Sequence, residues 1–229
     1  CIRDRLYFNS TQYYFQMHNT SDGAITLQSG TGFSINTWEH IVITSSASKV
    51  YKMYINGVLK DTETLSGTVS VNTNGARLGE YSLASGYNFS GSIDQVRVFS
   101  KELSTGEIST LYNSGNGEIA CVHTATTTNN SYPVANTMYY KLDNSAVDET
   151  GNSTATEQEM QYRFGKYGQA GLFNGVSNGS EINTNYSTGD TTLTHSFWMN
   201  QSGLGHDGFN VPLGAYWDGT TPYHLGYYI

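Results

Sequence analysis

The sequence predicts an all-β protein built as an antiparallel sandwich of two packed sheets. Short runs of β-branched and aromatic residues recur along the chain, and clusters of Gly, Asn, Ser and Thr separate them. The composition agrees, because the 229 residues include 25 Gly and 18 Tyr and only one stretch has helical spacing. Short strands joined by polar turns are typical of a sandwich.

The charge of the chain argues against two classes of partner. The formal net charge is −8, only 13% of residues are charged, and Lys and Arg are not clustered anywhere. Binding of nucleic acid through its phosphates is therefore not expected. No apolar run approaches the length needed to span a bilayer, so membrane insertion is not expected either.

The first half of the chain contains a series of predicted hairpins. An aromatic, loosely alternating run over 6–15 is followed by the turn signal Asn19-Thr20-Ser21-Asp22-Gly23 and a short strand at 25–27. Residues 35–44 form a longer strand, in which Trp38 and His40 share one face. Asn56-Gly57 between two apolar runs predicts a tight type I′ hairpin.

A strand is predicted from Ile93 to Phe99, and it carries an unexpected carboxylate. Simple alternation places Asp94 on the same face as Val96 and Val98. A buried carboxylate must be paired, hydrogen-bonded or bound to a cation. The one predicted helix follows over 103–112, with Ser104 and Glu107 spaced as a capping box.

The second half begins after a stretch that is poor in large apolar residues. Residues 114–137 are rich in Thr, Asn and Ser and predict a linker between domains. Strand-like runs then follow at 138–143, 164–175 and 193–199. Trp198 lies inside the last of these runs and, like Trp38, is predicted to be a core residue.

Several motifs together resemble one known family. The first half contains them in order: Trp38-Glu39-His40-Ile41-Val42-Ile43-Thr44, Tyr54-Ile55-Asn56-Gly57, Gly91-Ser92-Ile93-Asp94-Gln95-Val96-Arg97-Val98-Phe99, Leu103-Ser104 and Glu107-Ile108. This set resembles the laminin-G-like branch of the concanavalin A-like lectin/glucanase superfamily. The resemblance implies a concanavalin A-like jelly roll. Motifs of the second half, including Phe164 to Gly175 and Leu193 to Met199, resemble the N-terminal half of the same family.

The order of these motifs predicts an unusual domain organisation. Residues 6–113 correspond to the C-terminal part of one laminin-G-like domain, and residues 138–229 to the N-terminal part of the next, as in a fragment of a tandem array. Half a sandwich leaves open strand edges and an uncovered apolar face. We therefore expect both halves to assemble into one circularly permuted sandwich.

The turn Asp148-Glu149-Thr150-Gly151-Asn152 is rich in oxygen ligands, and these are the ligands that Ca²⁺ prefers. Asp94, Asp148 and Asn152 are the predicted calcium ligands, and we expect Asp94 and Asp148 to meet. The alternative is an ordinary Asx-turn, with Asp94 hydrogen-bonded to backbone.

Exposed aromatic residues suggest a sugar-binding surface. Tyr216, Trp217 and Asp218 combine an aromatic pair with a polar turn and are the predicted ligand-binding residues. Packing in the core or at its rim is the alternative for any single aromatic. The superfamily's glucanases carry acids in an E-x-D-x-x-E pattern, but Glu181-Ile182-Asn183 lacks the second acid. No enzymatic activity is predicted.

Two functions fit these observations. The first is a non-catalytic extracellular binding or adhesion module for glycans or another cell-surface ligand. The second is a structural spacer in a repetitive adhesin or a virion fibre, where adjacent repeats of the same chain are the partners. An accessory domain of a glycosidase is a third. All of them imply a location outside the cell or on a virion surface.

Overall fold

A computed structural model describes residues 5–8, 12–21, 23–32, 34–69, 75–80, 88–113, 137–176, 179–186, 192–203 and 210–215. These residues form fifteen strands and one helix, α1 (Thr105–Tyr112). The strands are β1 (Arg5–Phe8), β2 (Tyr13–His18), β3 (Ala24–Gln28), β4 (Trp38–Ser45), β5 (Val50–Ile55), β6 (Val58–Thr64), β7 (Ala76–Leu78), β8 (Ser90–Phe99), β9 (Met138–Tyr140), β10 (Ala155–Gln158), β11 (Gln161–Phe164), β12 (Gln169–Asn174), β13 (Glu181–Thr184), β14 (Leu193–Gln201) and β15 (Asn210–Ala215).

The strands build two antiparallel sheets that both combine the two halves of the chain. The first has the order β10-β13-β7-β15-β1-β2-β3, and the second has the order β11-β12-β8-β14-β4-β5-β6, with β9 also paired to β8. Strand β8 of the first half thus lies between β12 and β14 of the second. The expected sandwich assembled from both halves is confirmed. Its origin in two adjacent repeats stays a prediction.

The core lies between the two sheets and is formed by alternating side chains. Strand β2 shows the pattern clearly, because Tyr13, Phe15 and Met17 are buried while the residues between them are half-buried. The largest fully buried side chains of this core include Phe8, Phe89, Phe173 and Phe197. Burial of such side chains is the main stabilising contribution to a sandwich.

The local signals of the sequence correspond to observed turns and caps. Asn56 and Gly57 have φ angles of 51° and 77° and connect β5 to β6, as a type I′ turn requires. Helix α1 begins with the predicted capping box. The Ser104 side chain accepts from the Glu107 backbone, and the Glu107 carboxylate accepts from the Ser104 backbone.

Helix α1 covers one end of the outer face of the eight-stranded sheet. Leu103, Ile108 and Leu111 pack there against a second, smaller apolar cluster that includes Val42, Tyr54 and Phe99. The Leu103 backbone also donates to Thr194 on β14. At eight residues, α1 is too short to cross a membrane, and no other helix is found in the described part of the chain.

A β-bulge in β8 corrects the predicted placement of Asp94. On β14, Trp198 is opposite Asp94 of β8 and Ser196 is opposite Arg97. The one residue of β14 between these pairs, Phe197, is therefore opposite two residues of β8, Gln95 and Val96. The extra residue reverses the alternation. Val96 and Val98 therefore face the core, whereas Asp94 points to the outer face of the sheet.

Of the two tryptophans predicted to be core residues, Trp198 is buried and Trp38 is not. Trp38 is only half-buried at the start of β4. Trp198 is 1% exposed, but it lies outside the main core cluster. Its neighbours Phe197 and Met199 face the core, so Trp198 belongs to the outer face, as strand alternation requires.

Candidate functional site

Three neighbouring strands place polar and aromatic side chains in one row on the outer face of the eight-stranded sheet. Trp198 on β14 pairs with Asp94 on β8 at one side and with His40 on β4 at the other. We call these three residues, together with Tyr112, Lys166 and Tyr167 around them, the outer-face cluster. Sequence alternation alone places Trp198 and His40 on this side of their strands, and the bulge adds Asp94.

Aromatic rings and one ammonium group surround Trp198. The His40 ring centroid lies 4.9 Å from that of Trp198, and the Tyr112 ring stacks on Trp198 at 5.9 Å. The Tyr167 ring meets it edge-on at 6.1 Å, and Lys166 Nζ lies 4.6 Å from the ring centroid. This last contact is a cation–π interaction. Tyr112, Lys166 and Tyr167 are half-buried and form the side of the cluster nearest to solvent.

Three buried polar atoms of the row have no hydrogen-bond partner among the described residues: Asp94 Oδ1, Trp198 Nε1 and His40 Nδ1. His40 Nε2 does have a partner, Ser196 Oγ at 2.8 Å. The His40 ring is therefore hydrogen-bonded through only one of its two nitrogens among the described residues. Buried polar atoms without partners are uncommon in folded proteins and call for a specific explanation, such as a ligand or an ordered water.

The charged groups near the row are held in different ways. The Arg97 guanidinium donates to Gln95 Oε1 at 2.8 Å and stacks over the Tyr139 ring at 4.7 Å. Burial, with Arg97 as a second cause, lowers the pKa of His40 to about 3, so its ring is neutral at physiological pH. Loss of solvent lowers the pKa of Lys166 too. Lys166 is close to Trp198 but has no carboxylate partner in the described residues.

Asp94 anchors the turn that carries Lys166. Its Oδ2 accepts from the Tyr167 backbone at 2.8 Å. A Cβ atom at Gly165 would lie 2.7 Å from this same oxygen, so the close approach requires glycine. Burial raises the pKa of Asp94 to about 7 despite the hydrogen bonds from Tyr167 and Gln95, and the nearby Asp143 raises it further.

The Asp148 carboxylate lies apart from the outer-face cluster and is hydrogen-bonded mainly within its own turn. Its two oxygens accept five hydrogen bonds, from the backbone of Tyr139, Thr150, Asn152 and Ser153 and from the Thr150 hydroxyl. This arrangement matches the alternative of an Asx-turn. Tyr140 of β9 pairs with Val96 on one side and Asp148 on the other, so β9 separates Asp148 from β8.

The predicted contact between Asp94 and Asp148 is therefore not formed. Calcium at Asp148 would have to replace donors that already saturate its carboxylate, and the Asn152 side-chain amide donates to the Thr137 carbonyl. Among the described residues, no group of three or more His, Cys, Asp or Glu side chains is placed to hold a metal ion. The arrangement of Asp94, Asp148 and Asn152 does not fit a shared calcium site, and calcium binding stays a prediction.

The structure places a second acidic residue, Glu80, beside Glu181, and the sequence did not reveal this pair. Arg77 Nη1 lies 2.6 Å from Glu181 Oε2 and 3.7 Å from Glu80 Oε2. Burial and the hydrogen bond with Glu181 raise the pKa of Glu80 well above its usual range. Both side chains are 3% exposed. A substrate cannot reach such a pair without unfolding its surroundings, so the arrangement is a buried ionic cluster.

The predicted ligand-binding residues Tyr216, Trp217 and Asp218 lie outside the described residues. The sequence did not single out Lys166, Tyr112 or Arg97 as site residues. Lys166 lies in a turn and Tyr112 at the end of a helix, and only the tertiary fold brings both to Trp198. The alternation around Trp198 was the one signal available in the sequence.

Comparisons with known proteins give two matches. Residues 3–109 match a laminin-G-like family model described as the concanavalin A-like lectin/glucanases superfamily. A botulinum-like toxin, eBoNT/J of Enterococcus sp. (strain 3G1_DIV0629), is 27% identical over 114 residues, which are 47% of this chain and 9% of the toxin. The chain thus spans less than a tenth of that relative. No solved structure matches.

The family model and the fold agree with each other. The match covers strands β1 to β8 and most of α1, the region in which the sequence motifs occur in order. Domains of this superfamily are commonly binding modules. Residues 3–109 of this β-sandwich are therefore similar, in sequence and in fold, to the laminin-G-like part of the concanavalin A-like lectin/glucanases superfamily.

Proposed function

We propose that this chain is a non-catalytic binding module for glycans, exposed outside the cell or on a surface, and that the outer-face cluster is its binding site. The observation that carries this proposal is the solvent side of the cluster, where the half-buried Tyr112, Lys166 and Tyr167 lie around the Trp198 ring. A sugar offers hydroxyl groups that both donate and accept hydrogen bonds, so one ring can satisfy donors and acceptors together.

The aromatic residues support the same class of ligand. Trp198 and Tyr112 provide ring faces, and the apolar face of a sugar can stack on such rings. Lys166 lies over Trp198 on a flexible side chain, so a ligand can take its place at modest cost. Tyr112, on the last turn of α1, is half-buried and is the ring nearest to solvent together with Tyr167.

The positions of the acidic side chains in the described part of the chain favour binding of a glycan over its hydrolysis. Glycoside hydrolysis by retention needs two carboxyl groups about 5 Å apart with the substrate between them. Glu80 and Glu181 are close enough to interact, but Arg77 holds both and neither is accessible. At the outer-face cluster, Asp94 has Asp143 as its acidic neighbour, and the Asp143 carboxylate is engaged by the Gln169 backbone.

A glycan array with the 229-residue chain tests the proposal, followed by titration calorimetry of any sugar that binds. The Tyr112→Ala variant removes one ring of the outer-face cluster. Phe164→Ala is the matched control, since Phe164 is 93% exposed on the edge strand β11 and lies outside the cluster. We expect Tyr112→Ala to weaken binding and Phe164→Ala to leave it unchanged.

A third variant, Trp217→Ala, separates this site from the one predicted by sequence at Tyr216, Trp217 and Asp218. Loss of binding in Trp217→Ala alone would move the glycan site to that segment. Silence across a broad array would contradict glycan binding and favour the structural spacer, in which adjacent repeats are the partners.

A further inference from the structure

We propose that an open cleft between the β10–β11 turn and the end of β12 binds a neutral sugar residue. We call it the edge cleft, because β10 and β11 are the edge strands of the two sheets. It is a second site, and it shares no residue with the outer-face cluster. The cleft has a volume of about 370 Å³, within the roughly 300–1,000 Å³ that is common for ligand-binding clefts. Its lining consists of Glu159, Met160, Gln161, Leu172, Asn174 and Ser180.

The chain crosses from one sheet to the other at the edge cleft. Strand β10 ends at Gln158 in the seven-stranded sheet, and β11 begins at Gln161 in the eight-stranded sheet. Glu159 and Met160 form the connection. Glu159 has a φ of 46°, in the left-handed region that favours glycine. Backbone conformations of this kind cluster at ligand-binding sites.

Ser180 holds two sides of the cleft in place. Its hydroxyl donates to the Glu159 carbonyl at 2.9 Å, and its backbone amide donates to Asn174 Oδ1 at 3.2 Å. The Val176 backbone donates to the same Asn174 oxygen at 3.2 Å. The protein thus occupies the side-chain oxygen of Asn174, and the Asn174 amide nitrogen is left as a fixed donor. Groups that are fixed before binding reduce the entropy lost when a ligand binds.

The polar side chains of the edge cleft are accessible to a ligand. Glu159, Gln161 and Asn174 are all exposed, unlike the buried pair of Glu80 and Glu181. Among the residues that the structure describes, the Glu159 carboxylate meets no cation and no hydrogen-bond donor. The Gln161 amide and Asn174 Nδ2 likewise have no partner there.

Two half-buried apolar side chains complete the lining. Met160 packs against the main core cluster, and Leu172 is directly opposite Gln161 in the pairing of β11 with β12. The C–H groups of a sugar ring can pack on such side chains and remove them from water. The cleft therefore offers an apolar surface beside a small set of polar groups, as ligand sites commonly do.

The polar groups together select a neutral ligand with several hydroxyl groups. The carboxylate of Glu159 only accepts hydrogen bonds, Asn174 Nδ2 only donates them, and the Gln161 amide does both. A hydroxyl group can donate to the carboxylate and accept from an amide, so the adjacent hydroxyls of a sugar satisfy all three. Glu159 repels an anionic sugar, and none of the described lining residues is Lys or Arg. An ammonium group can pair with Glu159 but offers no acceptor to Asn174.

An NMR titration of the full chain tests the proposal through the side-chain amide signals of Gln161 and Asn174. The probes are the methyl glycosides of glucose, galactose, mannose, fucose and N-acetylglucosamine, which are all neutral. We expect at least one of them to shift both signals in a saturable way. If none of the five shifts these signals, the edge cleft is not a sugar site.

Two variants locate the binding. Glu159→Gln should weaken it by about five- to tenfold, the difference between a hydrogen bond to a charged group and one to a neutral group. Asn174→Asp keeps the oxygen that accepts from Val176 and Ser180 but replaces the donor, so a loss of at least about tenfold is expected at the Gln161 signal. Unchanged affinity in both variants would refute the location.

Glu63→Gln is the matched control, because Glu63 is also an exposed acid and lies on β6, the opposite edge strand of the same sheet. It should leave the affinity unchanged, and a loss equal to that of Glu159→Gln would contradict a local contact. Melting curves verify that the variants are folded, which we expect because Glu159 and Asn174 are exposed.

The charge of the ligand is tested with derivatives of the glycoside that binds. Its uronic acid should bind more weakly, because Glu159 repels a carboxylate. Its amino sugar provides the opposite case, since an amine would bind Asn174→Asp more tightly than the wild-type chain and a neutral sugar would bind it more weakly. Tighter binding of either derivative than of the neutral glycoside would overturn the ligand class.

The Tyr112→Ala variant separates this inference from the proposed function. It should leave the shifts of Gln161 and Asn174 unchanged, because Tyr112 belongs to the outer-face cluster. If Tyr112→Ala abolishes these shifts, the second site is refuted and the proposed function stands. If the edge cleft binds a glycoside and Tyr112→Ala weakens no glycan on the array, the outer-face cluster is refuted and the edge cleft stands.

Discussion

Gln95 and Phe197 face each other across the bulge of β8, where Gln95 and Val96 together oppose Phe197 alone. Gln95 has a φ of 56°, in the left-handed region that normally favours glycine. Its side-chain oxygen accepts hydrogen bonds from Arg97 and from the Tyr139 hydroxyl. One residue thus sets the register of the strand and provides the acceptor for a buried guanidinium.

We expect Gln95→Gly to destabilise the protein by about 1 kcal/mol, even though glycine suits the backbone. Relief of the left-handed conformation gains roughly 1 kcal/mol, whereas the loss of one of the acceptors of the buried Arg97 guanidinium costs about 1–3 kcal/mol. Urea unfolding of both proteins measures the difference. A variant more stable than the wild-type chain would show that the backbone strain outweighs the hydrogen bonds.

We expect Asp94→Asn to become increasingly stabilising, relative to the wild-type chain, as the pH rises toward about 7. The pKa of Asp94 is raised from 3.8 to about 7 in the folded state, so the folded state binds the proton more tightly than the unfolded one. The wild-type chain therefore loses stability as pH rises between these two values and is level above them. Asparagine does not titrate, and urea unfolding of both proteins at pH 4, 5.5 and 8 measures the growing difference.

Asp94 also holds the turn that carries Lys166, through its hydrogen bond with the Tyr167 backbone. Asp94→Ala removes the acceptor of the Tyr167 amide, so this amide should exchange its hydrogen faster, by about tenfold or more for a loss above 1.4 kcal/mol. Asp94→Asn retains an acceptor oxygen and is the control. Equal exchange rates in both variants would mean that the turn is held by other contacts.

Glu80→Gln is predicted to stabilise the protein at pH 8 by more than about 1 kcal/mol, because a pKa shift of one unit corresponds to about 1.4 kcal/mol. The folded-state pKa of Glu80 is raised from 4.5, so the wild-type chain loses stability as pH rises above that value. Glutamine is uncharged and keeps an oxygen for Asn88 or Arg77. The gain should shrink toward pH 4, where the Glu80 carboxyl is protonated in the folded state. A gain of equal size at both pH values would contradict this explanation.

Asp148→Ala is expected to cost about 3 kcal/mol, since several backbone donors lose their charged acceptor. If the Asx-turn alone explains this residue, the loss of stability is the same in Ca²⁺ and in EGTA. A loss that is found only in Ca²⁺ would support the predicted calcium site instead. Titration calorimetry of the wild-type chain with Ca²⁺ provides the direct measurement.

Local features of this fold could be predicted from the sequence because each depends on a few adjacent residues. The turn at Asn56-Gly57 and the capping box of Ser104 and Glu107 are examples, since backbone geometry and short-range hydrogen bonds decide both. The assembly of both halves into one sandwich was also predictable, because an isolated half leaves its strand edges without partners.

The bulge in β8 and the contacts of the outer-face cluster could not be predicted from local sequence patterns. A bulge residue in the left-handed conformation is usually glycine, and Gln95 carries no such signal, so the alternation of β8 was assigned to the wrong faces. The contacts of Glu80 with Glu181 and of Lys166 with Trp198 join segments that are distant in sequence. Contacts of this kind depend on the tertiary fold, which no local pattern specifies.

The position of β8 between β12 and β14 has a consequence for the order of folding. All the strands that pair with β8, namely β9, β12 and β14, belong to the second half of the chain, although β8 itself ends at Phe99. β1 likewise pairs with β15, near the other end of the described chain. Contacts between residues so distant in sequence slow folding, because a long loop must close before they form. When the 229-residue chain refolds, its first half therefore exposes an unpaired central strand and an apolar face until the second half pairs with it.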